Sequence, residues 1–111
     1  MTGSGDVTVL IRYLAQAGKS AVAKRELDAL VQVVLAQEPA CKGIWIHENT
    51  AAPEQLLLVE RWADEASYTG PHMQTPHIQA FMVRAREFIA GPPEITFWRG
   101  VGGMETGGGG A

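Results

Sequence analysis

The order of hydrophobic periods along this chain leaves few folds open to it. Val7–Leu14 alternates as a strand does, and a helical stripe follows in which Ala23, Leu27, Leu30 and Val34 recur at spacings of four and three. Residues 43–49 and 55–62 read as two further strands, joined by Asn49-Thr50-Ala51-Ala52-Pro53, which is turn chemistry. A second helical face, Ile78, Phe81, Met82, Ala85, Phe88 and Ile89, precedes a last strand over 94–101. The order is strand–helix–strand taken twice. It predicts an α+β, ferredoxin-like βαββαβ domain, with a four-stranded antiparallel sheet and two helices on one face.

Punctuation supports these bounds. Gly18 breaks the first strand pattern, Ser20 can cap the first helix and Pro39 forbids its continuation. Asp64 can cap a short helical turn through Tyr68 before Gly70-Pro71. Thr75-Pro76 places a capping hydroxyl before a proline at the first helical position. Gly91-Pro92-Pro93 ends that helix. The domain is thus expected over 7–101, with a polar N-terminal arm at 1–6 and a flexible Gly-rich tail at 102–111.

The strands are apolar on both sides. Leu56 and Leu58 alternate with Leu57 and Val59, Val9 and Ile11 with Leu10 and Leu14, and Ile44 and Ile46 with Trp45. Helices can cover only one side of the sheet. A large apolar side chain left wet forgoes about 1.5–3 kcal/mol of burial. A second copy of the sheet is the simplest cover, which predicts a homodimer.

Composition excludes several functions. A net charge of −3 and the absence of any basic run give no field for nucleic acid or an anionic membrane. No apolar stretch approaches spanning length and no signal peptide is visible, so a cytoplasmic protein is expected. One cysteine, Cys41, rules out an internal disulfide and argues against a cysteine-based zinc site. It reads as a packed thiol.

Chemically useful groups gather between Trp62 and Phe81. His72-Met73-Gln74-Thr75-Pro76-His77 sets two imidazoles on either side of a helix start. Imidazole exchanges protons near neutral pH. A helix N-terminus disfavours a positive ring, which suits His77 to accept a proton. Packing or a backbone bond is the plainer role for His77, and a loop-ordering bond for His72. His47 on the second strand reads as a surface or dimer-contact residue. Three histidines invite a metal site, but His72 and His77 are five apart across a proline and no His-Glu-x-x-His is present, so none is expected.

Glu60-Arg61-Trp62-Ala63-Asp64, then His72-x-x-Thr75-Pro76-His77 and Phe81, resemble the antibiotic-biosynthesis monooxygenase family, most closely its small quinol monooxygenases. The likeness runs from about Val7 to Trp98, and Glu38-Pro39-x-Cys41 fits the family's passage from helix to strand. It implies a dimeric α+β barrel that oxidises a quinol or hydroxylated aromatic compound with dioxygen, without metal, flavin or other cofactor. His77, with His72, would then take the phenolic proton. Trp62 and Tyr68 would orient the ring, while Leu58, Phe81 and Met82 keep the cavity dry. Trp62 and Tyr68 match a Trp and a Tyr used by members that oxidise polyketide phenols, and His47 a strand histidine. Leu58 stands where those members carry Asn, and Met82 where they carry Arg. The haem-degrading branch fits worse, because Val7–Leu14 lacks its Asn. The same scaffold hosts an isomerisation, so proton shuttling by the His pair without oxygen is an alternative. A non-catalytic dimeric module that binds a hydrophobic metabolite is another.

Overall fold

The computed structural model describes residues 6–106. Strand β1 (Val7–Leu14), helix α1 (Ser20–Gln37), β2 (Cys41–Asn49), β3 (Ala52–Trp62), α2 (Glu65–Thr69), a 3₁₀ turn (Pro71–Gln74), α3 (Pro76–Ala85) and β4 (Glu94–Trp98) follow in that order. The sheet is antiparallel throughout, with spatial order β2-β3-β1-β4. This is the expected ferredoxin-like α+β architecture. The expected N-terminal arm at 1–6 falls outside the described residues except for Asp6. Of the expected tail, 102–106 are described and carry no regular structure.

Register sorts the strand residues onto two faces. Val9 pairs with Glu60, Ile11 with Leu58 and Tyr13 with Leu56. Ile44 pairs with Glu60 and Ile46 with Leu58. These side chains and Trp62 meet the helices. Val9, Leu27, Val34, Leu56, Leu58, Trp62 and Phe81 are the largest of the fully buried side chains. The opposite face carries Leu10, Leu57 and Val59, half-buried, beside Trp45 at 48% and Trp98 at 57% exposure. No helix covers it. A Cβ on Gly43 would lie 2.6 Å from the Trp45 indole, so the missing side chain makes the bed on which that ring rests. Arg61 sits over the same ring, 5.9 Å from its centre.

The ends of the elements show where local signals won and lost. Asp64 caps α2 by accepting from Ser67 N at 2.7 Å, and Thr75 caps α3 by accepting from Ile78 N at 3.3 Å. Ser20 is not the cap of α1: it is the first helical residue, and Lys19 precedes it without a side-chain cap bond. α3 stops at Ala85, one turn short of the expected Ile89. Gln16 explains the difference. Its Nε2 donates to the carbonyls of Arg86 and Ile89, and its own N–H donates to Phe88 O. An Ala15–Ile89 bridge then draws the segment toward the sheet. Phe88 and Ile89 still enter the core. β4 ends at Trp98 rather than Val101.

Candidate functional site

Trp62 is the hub of the interior. It ends β3 at 1% exposure. Its Nε1 donates to Glu60 Oε1 at 2.8 Å. Its ring packs against Tyr68 of α2, edge to face at 5.5 Å between centres, and against His72 of the 3₁₀ turn at 4.7 Å. Tyr68 and His72 are 4.9 Å apart. Two short elements, α2 and the 3₁₀ turn, thus converge on the indole that ends β3. Thr75 ties the turn to α3, because its hydroxyl donates to His72 O at 2.9 Å while it accepts from the α3 backbone.

The two histidines converge on a residue from elsewhere. Glu38 is the C-cap of α1, and its side chain is 11% exposed. Its carboxylate lies 2.9 and 3.0 Å from His72 Nδ1 and 2.6 Å from His77 Nε2. A carboxylate only accepts, so both imidazole nitrogens donate to it. That fixes the tautomers and leaves His72 Nε2 as the unprotonated nitrogen. Burial pushes the His72 pKa below its ordinary value against the opposing pull of Glu38, which favours the neutral base. The three donor atoms lie within 4.8 Å of one another and are of types that ligate first-row metals. The protons on His72 Nδ1 and His77 Nε2 would have to leave before an ion could bind.

Beside this cluster lies a cavity of about 480 Å³ between α3, the turn after it, β1 and β4. Met73, Ile78, Phe81, Met82, Ile89 and Ile95 make an apolar wall, and Tyr13 and Tyr68 also line it. The volume is that of a small-ligand site. Burial raises the pKa of both phenols, and the charge of Glu60 raises them further, so both remain hydrogen-bond donors at neutral pH. Among the described residues neither hydroxyl has a protein partner, while no fully buried side-chain nitrogen or oxygen goes without one. Each hydroxyl therefore opens on accessible space.

The site residues named from sequence fall into three places. Tyr68, Phe81 and Met82 border the cavity. Trp62 and Leu58 lie in the core and do not border it, and His72 and His77 stand behind Tyr68 on Glu38. His47 is exposed on the far side of the sheet, in a separate polar hollow with Arg12, Glu48 and Asn49.

Three residues of the arrangement carried no role in the sequence reading. Glu38 is 34 residues from His72, and only its place before Pro39 marked it. Tyr13 is the inward residue of β1 nearest its end. Glu60 is an acid at an inward position of the run Leu56, Leu58, Glu60, Trp62, a break in the apolar pattern that was readable in advance.

Residues 6–84 match the antibiotic biosynthesis monooxygenase family. Among curated proteins, none matches the sequence significantly. Solved structures share the fold. A candidate antibiotic biosynthesis monooxygenase from Bordetella bronchiseptica superposes with a TM-score of 0.80 at 20% identity, over 88% of this chain and 99% of that one. One from Caulobacter crescentus gives 0.79 at 21%, over 88% and 92%. A protein of Pseudomonas aeruginosa gives 0.76 at 22%, over 91% and 100%.

Proposed function

Because the chain belongs to the antibiotic biosynthesis monooxygenase family, we propose that it oxidises a small quinol or hydroxylated aromatic compound with dioxygen and needs no cofactor. One observation supports this most: an apolar cavity that presents two phenol donors lies beside a neutral imidazole, and a carboxylate holds that imidazole by its other nitrogen. An electron-rich ring needs such a place to lose a proton and meet oxygen away from water.

His72 does not border the cavity, so its Nε2 takes the phenolic proton by relay, through a water or the Tyr68 hydroxyl that lies between. Glu38 fixes its tautomer and stabilises the imidazolium that forms, the task a carboxylate performs for a catalytic histidine in general. His77 shares the same carboxylate and moderates its charge. Tyr13 and Tyr68 donate to the developing phenolate, which lies in a medium where such bonds are strong. Phe81 walls the inner side of the cavity, Met82 borders its solvent-facing side, and Trp62 holds Tyr68 and His72 in register.

Oxygen uptake with a panel of reduced quinones and hydroxynaphthalenes tests the assignment. His72→Ala is expected to lower kcat by about 100-fold or more, with His77→Ala milder. Uptake untouched by His72→Ala would remove it as the base. Turnover that persists without oxygen would make the protein an isomerase, and saturable binding without turnover a ligand-binding module.

The homodimer belongs to the same proposal. The uncovered sheet face, with Trp45 and Trp98 exposed beside Leu10, Leu57 and Val59, is the surface a second copy would bury. The protein is expected to sediment at twice the chain mass, and the double substitution Trp45→Asp, Trp98→Asp to give single chains. A monomeric wild type would refute the dimer.

A further inference from the structure

Glu38, His72 and His77 come from three elements, and one donor atom of each meets the others in a small space. Glu38 Oε2 lies 2.9 Å from His72 Nδ1 and 2.6 Å from His77 Nε2, and the three donors lie within 4.8 Å of one another. A tetrahedral Zn²⁺ with bonds of about 2.0–2.1 Å keeps its donors about 3.3 Å apart, so the two contacts to the carboxylate need to open by only about half an ångström. The place is enclosed without being sealed. The His72 side chain is 4% exposed, that of Glu38 11% and that of His77 14%, which leaves an ion a way in beside His77. Charge also favours a cation here. Among the described residues no lysine or arginine pairs with Glu38, nor with the buried Glu60, whose carboxyl feels the charge of Glu38. α1 ends at Glu38 with no basic side chain in its last turn, so its carbonyl end adds partial negative charge, which the start of α3 at His77 offsets only in part.

We propose that Glu38, His72 and His77 form a binding site for a divalent metal ion of the zinc type, and that the bound ion takes His72 out of service as a base. Two imidazoles and one carboxylate are a donor set that zinc accepts with a water in the fourth position. Histidine spacing alone predicted no metal. The third donor arrives from 34 residues before His72, where spacing does not show it. On binding, the ion takes the place of a proton on each ring. A neutral imidazole has one N–H and one lone pair. With the ion on His72 Nδ1, that ring's proton moves through water to Nε2. With the ion on His77 Nε2, the other ring's proton moves to Nδ1. Neither receiving nitrogen has a protein partner among the described residues, and neither is fully buried, so both are open to a proton. Each ring keeps one proton and Glu38 stays ionised. His72 Nε2 then carries a hydrogen and has no lone pair for the phenolic proton. This consequence rests on the oxidation proposed above, whereas the binding does not.

Isothermal titration calorimetry of the untagged chain with Zn²⁺ alone should give one site per chain, with a Kd of about 1 μM or tighter. Glu38→Gln, which keeps the shape, and His77→Ala should each weaken it by at least about 100-fold, while His47→Ala, which removes the exposed histidine, should leave it unchanged. Ring ¹⁵N NMR of wild type needs no variant: Zn²⁺ should shift the nitrogens of His72 and His77 and leave those of His47 in place. No stoichiometric binding by wild type, shifts at His47 alone, or binding that survives in both triad variants would overturn the site. With an active substrate, one equivalent of Zn²⁺ should lower oxygen uptake at least about ten-fold, and excess EDTA should restore it. Zinc held by the triad with turnover unchanged would overturn the block on His72. Inert wild type that still binds zinc through the triad would sink the oxidation and leave the site standing.

Discussion

Trp62→Ala is expected to lower the unfolding free energy by about 4 kcal/mol, near the upper end for loss of a buried aromatic ring. Three contributions add. The indole is 1% exposed and packs against Tyr68 and His72, so its removal opens a hole that rigid neighbours fill poorly. The edge-to-face contacts are lost with it. Glu60 loses the N–H that its Oε1 accepts, which leaves a buried carboxyl without a donor among the described residues. The last contribution makes the loss depend on pH, because an orphaned buried carboxylate costs more than an orphaned acid. Urea unfolding at pH 5 and pH 8 should show the larger loss at pH 8. Trp62→Phe separates the terms: it keeps most of the ring and removes the donor, and should cost about 1–3 kcal/mol. A loss from Trp62→Ala that is small and independent of pH would show that the indole neither fills the core nor supports Glu60.

Stability should also fall as pH rises from about 4.5 to about 7 through Glu60 alone. Its carboxyl moves from the ordinary 4.5 up to about 7 in the folded protein, mainly by burial. Within that window the folded state holds a proton that the unfolded chain has released, so each step up in pH favours unfolding. The whole contribution comes to about 3 kcal/mol, at about 1.4 kcal/mol per pKa unit, and levels off above pH 7. His72 acts in the opposite sense. Its folded pKa is lowered, so the unfolded chain takes up a proton first and stability is lost as pH falls below about 6.5. Glu38, Tyr13, Tyr68 and Cys41 also face Glu60, and the two phenols and the thiol, the latter raised to about 11, stay neutral across this range. Urea unfolding of wild type and Glu60→Gln from pH 4.5 to 8 isolates the carboxyl: the variant should gain about 3 kcal/mol on wild type across the window. Parallel curves would mean that Glu60 titrates as an ordinary exposed acid.

The fold was legible because its signals are local. Alternation in β1 and β3, the stripe in α1, and the caps Asp64 and Thr75 each act within a few residues and agree with the packing they serve. The end of α3 was not legible, because Phe88 and Ile89 keep helical spacing while Gln16, from the other side of the domain, takes the carbonyls of Arg86 and Ile89. Spacing reports which face is apolar, and a long-range hydrogen bond decides whether the backbone stays helical. The site divides in the same way. His72 and His77 stood out as residue types close in sequence. Glu38 meets them only because the last turn of α1 packs beside the 3₁₀ turn, which nothing within reach of either histidine encodes. Tyr13 looked like one more strand aromatic until β1 and β3 were placed in register.

The three tryptophans are sorted by environment, and this gives the molecule a built-in optical label. Trp62 is sealed inside with a carboxylate on its N–H and an imidazole against its ring, whereas Trp45 and Trp98 face outward from the sheet. Emission from the enclosed indole is expected to follow the protonation of its two neighbours, and emission from the outer pair what lands on the open face. Association and site chemistry are therefore written in different colours of the same fluorescence spectrum.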